Sequence, residues 1–201
     1  EWVAAGFPED PGQDRVVPYV FPTPALLDGL PLRLPAAVHG RAGSFGYDTM
    51  TMVGPGTWAA ARGAVDAALT AVDLVTAGGH RTAYALCRPP GHHATRAGYG
   101  GSCYLNNAGV AAEALRRAGK ERVAVVDIDA HHGNGTQAIF YDDPEVLFVS
   151  LHQYPWYPFT GRPDEVGEGA GRGSTVNIAL PAGATGQVYR EALDVVVGPV
   201  V

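Results

Sequence analysis

The sequence has few cysteines, no long apolar run and no excess of positive charge, and each shortage excludes a class of protein. Only Cys87 and Cys103 occur among the 201 residues. Two cysteines are too few for a disulfide framework, so we expect reduced, buried thiols and a cytoplasmic protein. No apolar stretch reaches the ~18 residues of a membrane span and no secretory signal is recognisable, so membrane association is not expected.

The charge balance argues against direct binding of nucleic acid. Lys and Arg number 14 against 20 Asp and Glu, giving a net charge of -6, and no basic patch stands out. A protein that neutralises phosphates needs such a patch. The sequence does not indicate an oligomeric state.

The composition predicts one domain with a sizeable core. The chain is 46% hydrophobic and 17% charged, as in ordinary globular proteins. It opens without methionine and stops inside the apolar run 195–201. We therefore expect residues 1–201 to be a fragment of a single domain that is incomplete at both ends.

The pattern of apolar residues predicts an alternation of strands and helices after a long loop region. Residues 1–56 are rich in Pro and Gly and predict ordered loop. Helices are predicted over 57–79, with Thr57 as N-cap and Gly78 as stop, over 106–120, and from 185. Strands are predicted over 82–87, 122–129, 145–152 and 174–181.

Two of the predicted strands are apolar on every residue, at 123–126 and 146–149. Strands buried on both faces belong to parallel sheets covered by helices. The fold class is therefore predicted to be α/β, with a mostly parallel sheet.

Polar clusters follow three predicted strands: His92 and His93, then Asp127, Asp129 and His131, then Ser150 and His152. In open α/β sheets, sites form beyond the carboxyl ends of the strands, so these clusters are expected to meet.

Asp129 and His131 have the spacing of a metal-binding pair. Alternate residues of an extended chain share a face and lie roughly 6.6 Å apart, so both side chains can reach one zinc ion. An Asp-x-His pair alone more often forms a hydrogen bond within a loop. Here Asp127 and the second histidine pair favour the metal.

The tandem His92 and His93 follow an Arg-Pro-Pro-Gly loop. Two adjacent imidazoles with different neighbours are suited to share general base and general acid work beside a metal. The alternative is that one of them merely hydrogen-bonds a carbonyl.

The chain resembles the histone deacetylase family, which includes the acetylpolyamine amidohydrolases and the acetoin-utilisation-type proteins. The resemblance rests on "RPPGHHA", "GGSCYLNNAGVAA", "VVDIDAHHGNGTQAIFY", "VSLHQ" and "VGEGAGRGSTVNIALP", which occur in that order over about half of the chain. It implies a three-layer α/β/α arginase-like fold and zinc-dependent hydrolysis of an N-acetyl amide through a metal-activated water.

The resemblance also implies roles for individual residues. Asp129 and His131 would be zinc ligands, and His93 the general base. His92 would stabilise charge or assist proton transfer, and Asp127 would orient it.

Asn134 stands where the partner of His93 lies, at a position where many members of the family have Asp. A neutral amide should leave His93 less basic than a carboxylate would.

The family's monovalent cation, usually potassium, would be held by residues that partly overlap the zinc ligands: Asp127, Asp129, His131, Ser150 and Leu151.

The substrate would be bound by Asp48 at the rim and would pass Gly101 in a tunnel. Ser102 replaces the aromatic wall that is usual in the family, so the tunnel is expected to be wider or to be filled by Tyr99 or Tyr157. The aromatic segment 154–161, here called the lip segment, is a candidate for one side of the entrance.

The resemblance places the third zinc ligand and a transition-state tyrosine in a C-terminal half that follows these residues. Catalytic zinc normally has three protein ligands, and losing an oxyanion donor costs ~10²–10³ in rate. The 201-residue chain alone is therefore expected to bind metal weakly and to turn over little.

Two other functions are compatible with parts of the sequence. A ureohydrolase of the arginase type would need a further carboxylate where Gly133 stands. A deacetylase-like module that binds an acylated ligand without cleaving it is the second. Under both deacetylase-like hypotheses, the catalytic one and the binding one, the expected partner is an acetylated small molecule or an acetyl-lysine protein.

Overall fold

The structure of the chain, a computed structural model, describes residues 15–36 and 39–201. The parts of the predicted loop region at residues 1–14 and 37–38 lie outside the described residues. Within the loop region that is described, short helical turns occur, so the expectation of plain loop was only partly right.

The regular elements alternate between strands and helices from residue 107 onward. The strands are β1 (Val123–Asp127), β2 (Val146–Gln153) and β3 (Thr175–Leu180). The α-helices are α1 (Pro24–Leu27), α2 (Ala42–Phe45), α3 (Thr57–Thr76), α4 (Asn107–Arg117), α5 (Asn134–Phe140), α6 (Gly186–Ala192) and α7 (Gly198–Val200), and shorter helical turns of other types cover His39–Arg41, Gly169–Gly171 and Leu193–Val197.

The three strands form a parallel sheet in the order β1-β2-β3. Val123 pairs with Val146 and Asp127 with Ser150, so β1 ends beside Ser150, whereas β2 continues to Gln153. The polar residues that follow β1 therefore lie at the same edge of the sheet as Ser150 and His152, which belong to β2 itself.

Helices cover both faces of the sheet. Val146 packs with Ala112 of α4 and Phe140 of α5, whereas Val149 and Leu151 pack with the segment after α6. Even-numbered and odd-numbered residues of β2 thus point to opposite faces of the sheet, as expected because side chains alternate along a strand. The predicted three-layer α/β arrangement is confirmed.

The prediction of a buried strand over residues 82–87 is wrong. This segment runs without strand pairing in the part of the chain that the structure describes, and Tyr84 and Leu86 are 88% and 82% exposed. A β-strand needs a neighbouring strand that hydrogen-bonds its backbone N–H and C=O groups. An apolar sequence alone does not provide that neighbour.

Helix α3 differs from its prediction by one residue at its start. Thr57 is the first helical residue and Gly56 holds the N-cap position, while the Thr57 hydroxyl accepts a hydrogen bond from the Gly54 N–H at 2.8 Å. Gly78, with φ of 81°, follows the end of the helix as predicted. Of the helices described, none has the length and apolar character needed to cross a membrane.

Candidate active site at the carboxyl ends of the strands

The loop with the tandem histidines is held against the start of α5. The His92 carbonyl accepts hydrogen bonds from Gly135 N–H at 2.9 Å and Thr136 N–H at 3.1 Å. A Cβ on Gly135 would lie 2.3 Å from the Ala94 oxygen, so only glycine permits this approach. The "GNG" sequence after the second aspartate therefore brings the two histidine motifs together.

His92 is paired with a carboxylate. Its Nδ1 lies 2.8 Å from Asp127 Oδ2, and both side chains are mostly buried. Burial lowers the pKa of His92, but the hydrogen bond and charge of Asp127 outweigh it, so the pKa is raised above its ordinary value. His92 therefore retains a proton more readily than a free histidine.

His93 is paired with a neutral amide. Its Nδ1 lies 2.7 Å from Asn134 Oδ1. An amide oxygen only accepts, so Nδ1 carries the hydrogen and Nε2 keeps its lone pair. Burial and then the charge of neighbouring His92, whose ring centroid is 4.0 Å away, lower the pKa of His93 to about 4. The two rings thus differ in basicity in the direction that their partners predict.

Asp129 and His131 lie beyond β1, which ends at Asp127, so strand alternation does not bring them together as the sequence suggested. A turn does: Asp129 Oδ1 accepts from His131 N–H at 2.8 Å and lies 3.2 Å from His131 Nδ1. Although burial raises the pKa of Asp129, hydrogen bonds from His131 and nearby positive charge lower it overall. Asp129 therefore stays a carboxylate.

The donor pair fits part of a zinc site. Two donor atoms 3.2 Å apart match two ligands at about 2.0–2.2 Å from one tetrahedral ion. Among the described residues, no group of three or more His, Cys, Asp or Glu side chains is placed to hold a metal. Asp129 and His131 could therefore supply at most two of the three protein ligands that a catalytic zinc normally has.

Three residues expected at the potassium site lie on the paired strands: Asp127 ends β1, and Ser150 and Leu151 lie within β2. Asp127 and Ser150 are partners in the strand register. The Ser150 hydroxyl lies 3.0 Å from His152 Nδ1, and the Leu151 side chain is buried in the core. Leu151 therefore has only its backbone oxygen to offer a cation.

The expected tunnel residues lie beside His93. A Cβ on Gly101 would come within 2.2 Å of the His93 ring and 3.0 Å of the Tyr157 hydroxyl. The Tyr157 ring packs edge-on to His93 at 5.2 Å, whereas Tyr99 stacks on Tyr104. Of the two aromatics weighed as a replacement at exposed Ser102, Tyr157 is the one next to the tandem pair.

Asp48 is engaged within the protein. Its Oδ2 accepts from Gly101 N–H at 2.6 Å and from the Thr51 hydroxyl at 3.1 Å, while Oδ1 accepts from Met50 and Thr51 N–H. Thr51 Oγ1 accepts in turn from Ser102 N–H at 2.8 Å. Asp48 thus shapes the Gly101–Ser102 turn, and its predicted contact with substrate stays a prediction.

Further residues of the site had either no predicted role or only a general one. The Tyr47 hydroxyl donates to the His93 carbonyl at 2.8 Å, and no motif marked it. Trp156 of the lip segment stacks on His131 at 4.1 Å between ring centroids. The aromatic run after β2 was the signal for Trp156. His132, adjacent to His131, is buried beneath the site and had no predicted role.

The geometry around Gly133 disfavours a binuclear site of the ureohydrolase type. A Cβ on Gly133 would lie 2.3 Å from Asp127 Oδ2, so a carboxylate side chain at that position would collide with the partner of His92.

The fold and the site define an α/β protein with paired histidines and aspartates beyond the carboxyl ends of a parallel sheet. The chain belongs to the histone deacetylase family, because residues 29–201 match the histone deacetylase domain.

Similar proteins include acetylpolyamine amidohydrolase 1 of Pseudomonas aeruginosa, 42% identical over 198 residues, which are 96% of this chain and 54% of the relative. The acetylpolyamine amidohydrolase of Mycoplana ramosa is 44% identical over 164 residues, or 80% of this chain and 48% of the relative. A crystal structure of acetylpolyamine aminohydrolase from Burkholderia pseudomallei, 43% identical, superimposes with a TM-score of 0.83 over 96% of this chain and 54% of that chain. The chain thus spans about half the length of these relatives.

Proposed function

We propose that the protein is a zinc-dependent deacetylase that hydrolyses the N-acetyl amide of an acetylated polyamine or of acetyl-lysine. The observation that carries the proposal is the difference between the two adjacent histidines. One ring is bonded to a carboxylate and the other to an amide, at 2.8 Å and 2.7 Å. The names of the relatives, two of which are acetylpolyamine amidohydrolases, support the reaction class.

Asp129 and His131 would hold the zinc, together with a ligand from outside the described cluster. Zinc, when bound, supplies a Lewis acid that polarises the amide carbonyl and makes water a better nucleophile at neutral pH. A potassium ion beside Asp127 and Ser150, at the end of paired β1 and β2, would add positive charge beneath the site.

His93 is proposed to accept the proton of the attacking water. Its Nδ1–H is fixed on Asn134, so the Nε2 lone pair is the free basic position, and a pKa of about 4 keeps the ring neutral at neutral pH. Asn134 selects this tautomer without adding a charge.

His92 is proposed to stabilise negative charge on the acyl oxygen and to help return a proton to the amine. Its raised pKa, set by Asp127, favours the protonated ring. Hydrolysis forms a bond from the water oxygen to the acyl carbon and breaks the C–N bond, so the departing amine needs that proton.

The proposal is tested by assaying the zinc-loaded protein, at its full natural length, on an acetylated polyamine and an acetyl-lysine peptide. His93→Ala should lower kcat/KM by ~10²–10⁴ on whichever substrate is cleaved. His80→Ala is the matched control, because His80 is exposed and lies in the loop that follows α3, outside the site.

Hydrolysis that survives His93→Ala unchanged would refute the assignment of the base. Binding of both acetylated compounds without hydrolysis by the unaltered protein would favour the ligand-binding module instead.

A further inference from the structure

Two buried histidines lie beneath the site and take no part in the proposed reaction. His132 and His152 are 1% and 0% exposed, and their ring centroids are 4.7 Å apart. Burying an imidazole without hydrogen-bond partners is unfavourable. The partners of His132 and His152 therefore indicate the role of each ring.

The partners of His132 fix its hydrogens. Its Nε2 lies 3.0 Å from Gln137 Oε1, an oxygen that also accepts from Asn177 Nδ2 at 2.8 Å. Because that oxygen only accepts, Nε2 donates, and Nδ1 is left to accept from the Thr160 hydroxyl at 2.7 Å. His132 is thus neutral and bridges α5 to the lip segment.

His152 makes a parallel bridge. Its Nε2 donates to the Gly161 carbonyl at 2.8 Å, so Nδ1 accepts from the Ser150 hydroxyl at 3.0 Å. Gly161, with φ of 87°, packs so closely that an added Cβ would lie 2.4 Å from His152 and 2.6 Å from His132. Both rings therefore clamp the same end of the lip segment.

A carboxylate completes the clamp. Glu165 Oε2 accepts from Gln137 Nε2 at 2.6 Å and from Gly161 N–H at 3.0 Å. Asn177 of β3 donates to the Glu165 carbonyl at 3.0 Å. The lip segment is thereby tied to α5 and β3 as well as to β2.

The clamped segment presents its aromatics to the site. Trp156 stacks on His131 with an interplanar angle of 24°, and Tyr157 packs edge-on to His93 and to His131. A shift of the clamped end would move both rings relative to the candidate zinc ligand and the candidate base.

We propose that His132 is a positioning residue that, through Thr160, holds the lip segment so that Trp156 and Tyr157 form one wall of the substrate site. The effect of this positioning on turnover rests on the proposed deacetylase function. The effect on the order of the lip segment is independent of that function.

The test compares Thr160→Val, which removes the hydroxyl that His132 accepts, with Thr160→Ser, which keeps it. Thr70→Val is the matched control, because the Thr70 hydroxyl bonds to Asp66 on the exposed face of α3. In full-length protein, amide exchange at Phe159 and Gly161 should quicken about five- to tenfold in Thr160→Val, the effect of one lost hydrogen bond. Exchange in β1 and β2 should stay as in the unaltered protein.

The kinetic readout separates positioning from general loss of structure. Thr160→Val should raise KM about five- to tenfold with kcat changed less than about twofold, since a displaced wall weakens ground and transition states alike. Thr160→Ser should restore both values. His132→Asn, which keeps an acceptor near Nδ1, should fall between the two.

Unchanged exchange at Phe159 and Gly161 in Thr160→Val overturns the inference, whether or not the protein hydrolyses anything. Faster exchange in a protein that cleaves neither acetylated substrate supports the clamp and refutes the deacetylase proposal. Faster exchange with unchanged KM in an active enzyme overturns the positioning role.

Discussion

His92 and His93 show how a single neighbouring side chain sets the chemistry of a residue. The two rings share a loop, are both largely buried and lie 4.0 Å apart, yet the pKa of one is raised and that of the other lowered. Burial lowers both pKa values. The carboxylate of Asp127 raises that of His92 above its ordinary value, whereas His93 has only the amide of Asn134 and its pKa is lowered further by the charge of His92.

Asn134→Asp should therefore raise the pKa of His93. The charged form of His93, disfavoured at neutral pH with a pKa of about 4, gains an opposite charge at Nδ1. The acid limb of the kcat/KM profile should move to higher pH by about 1–3 units. NMR titration of the His93 ring measures the same shift without turnover, and exposed His80 serves as an internal reference. A His93 titration that does not move contradicts this account.

Gly161→Ala should destabilise the protein more than Gly183→Ala. Both glycines have similar positive φ values, 87° and 84°, so both substitutions should cost about 1–2 kcal/mol of backbone strain. A Cβ at Gly183 meets nothing within 4 Å, whereas at Gly161 it meets His132 and His152. That overpacking should add about 1–3 kcal/mol, as measured by urea unfolding. Equal losses of unfolding free energy in the two variants would show that His132 and His152 move aside at no cost, and would contradict tight packing at Gly161.

At the scale of elements, the start of α4 also supports the histidine loop. Asn106 is the N-cap: its Oδ1 accepts from Gly109 N–H at 2.8 Å. Its Nδ2 donates to the Ala94 carbonyl at 3.0 Å and to the Thr136 hydroxyl at 3.1 Å, and the residue is 7% exposed. One amide thus caps one helix and ties it to the loop after His93 and to α5.

Asn106→Ala should destabilise the fold by about 1–3 kcal/mol, through loss of the cap and of two buried hydrogen bonds. Asn106→Ser keeps an acceptor for the Gly109 N–H and should recover about 1 kcal/mol of that loss. Urea denaturation of the two variants beside the unaltered protein gives the comparison. Identical midpoints for Ala and Ser would show that capping contributes nothing here.

Local pattern was sufficient to predict the elements whose partners are present. The sequence located β1, β2, α3 and α4 because their periodicity and most of their end signals lie within one segment, although the N-cap of α3 is Gly56 and not Thr57. Residues 82–87 have a similar composition, yet they form no strand here. Pairing depends on a neighbour, and composition carries no information about it.

The candidate site likewise contains some residues that the sequence could locate and others that it could not. Asp127 and Asp129 could be located because they lie at and just after the end of an apolar strand, β1. The tandem histidines follow residues 82–87, which form no strand in the described structure, so only their own pattern and the family resemblance marked them. The clamp beneath the lip segment could not, since it joins three separate segments: His132 and Gln137 around the start of α5, Thr160 of the lip segment, and Asn177 of β3. Nor could the engagement of Asp48 with Gly101, which depends on how two distant turns pack.

An unpaired strand edge and two exposed apolar side chains, Val126 and Ile128, lie together at one groove, which His92, Asp127 and Asp129 also line. The outer edge of β1 has no strand beside it in residues 15–36 and 39–201, and Ile128 beyond it is 63% exposed. Residues 82–87 lie in the same region, since Cys87 and Pro90 line a groove of about 570 Å³ together with Val126 and Ile128. Unpaired strand edges and apolar patches of this kind promote association between chains.

The 201-residue chain by itself should therefore self-associate, and a charge in this groove should prevent it. Ile128→Lys places a cation beside the open edge of β1, as natural edge strands do to block pairing. Val195→Lys is the matched control, because Val195 is 67% exposed and does not line the groove. Sedimentation velocity over about a tenfold concentration range should show oligomers for the unaltered chain and Val195→Lys, and monomers for Ile128→Lys. A monomeric unaltered chain, or equal effects of the two lysines, would show that this edge does not drive association.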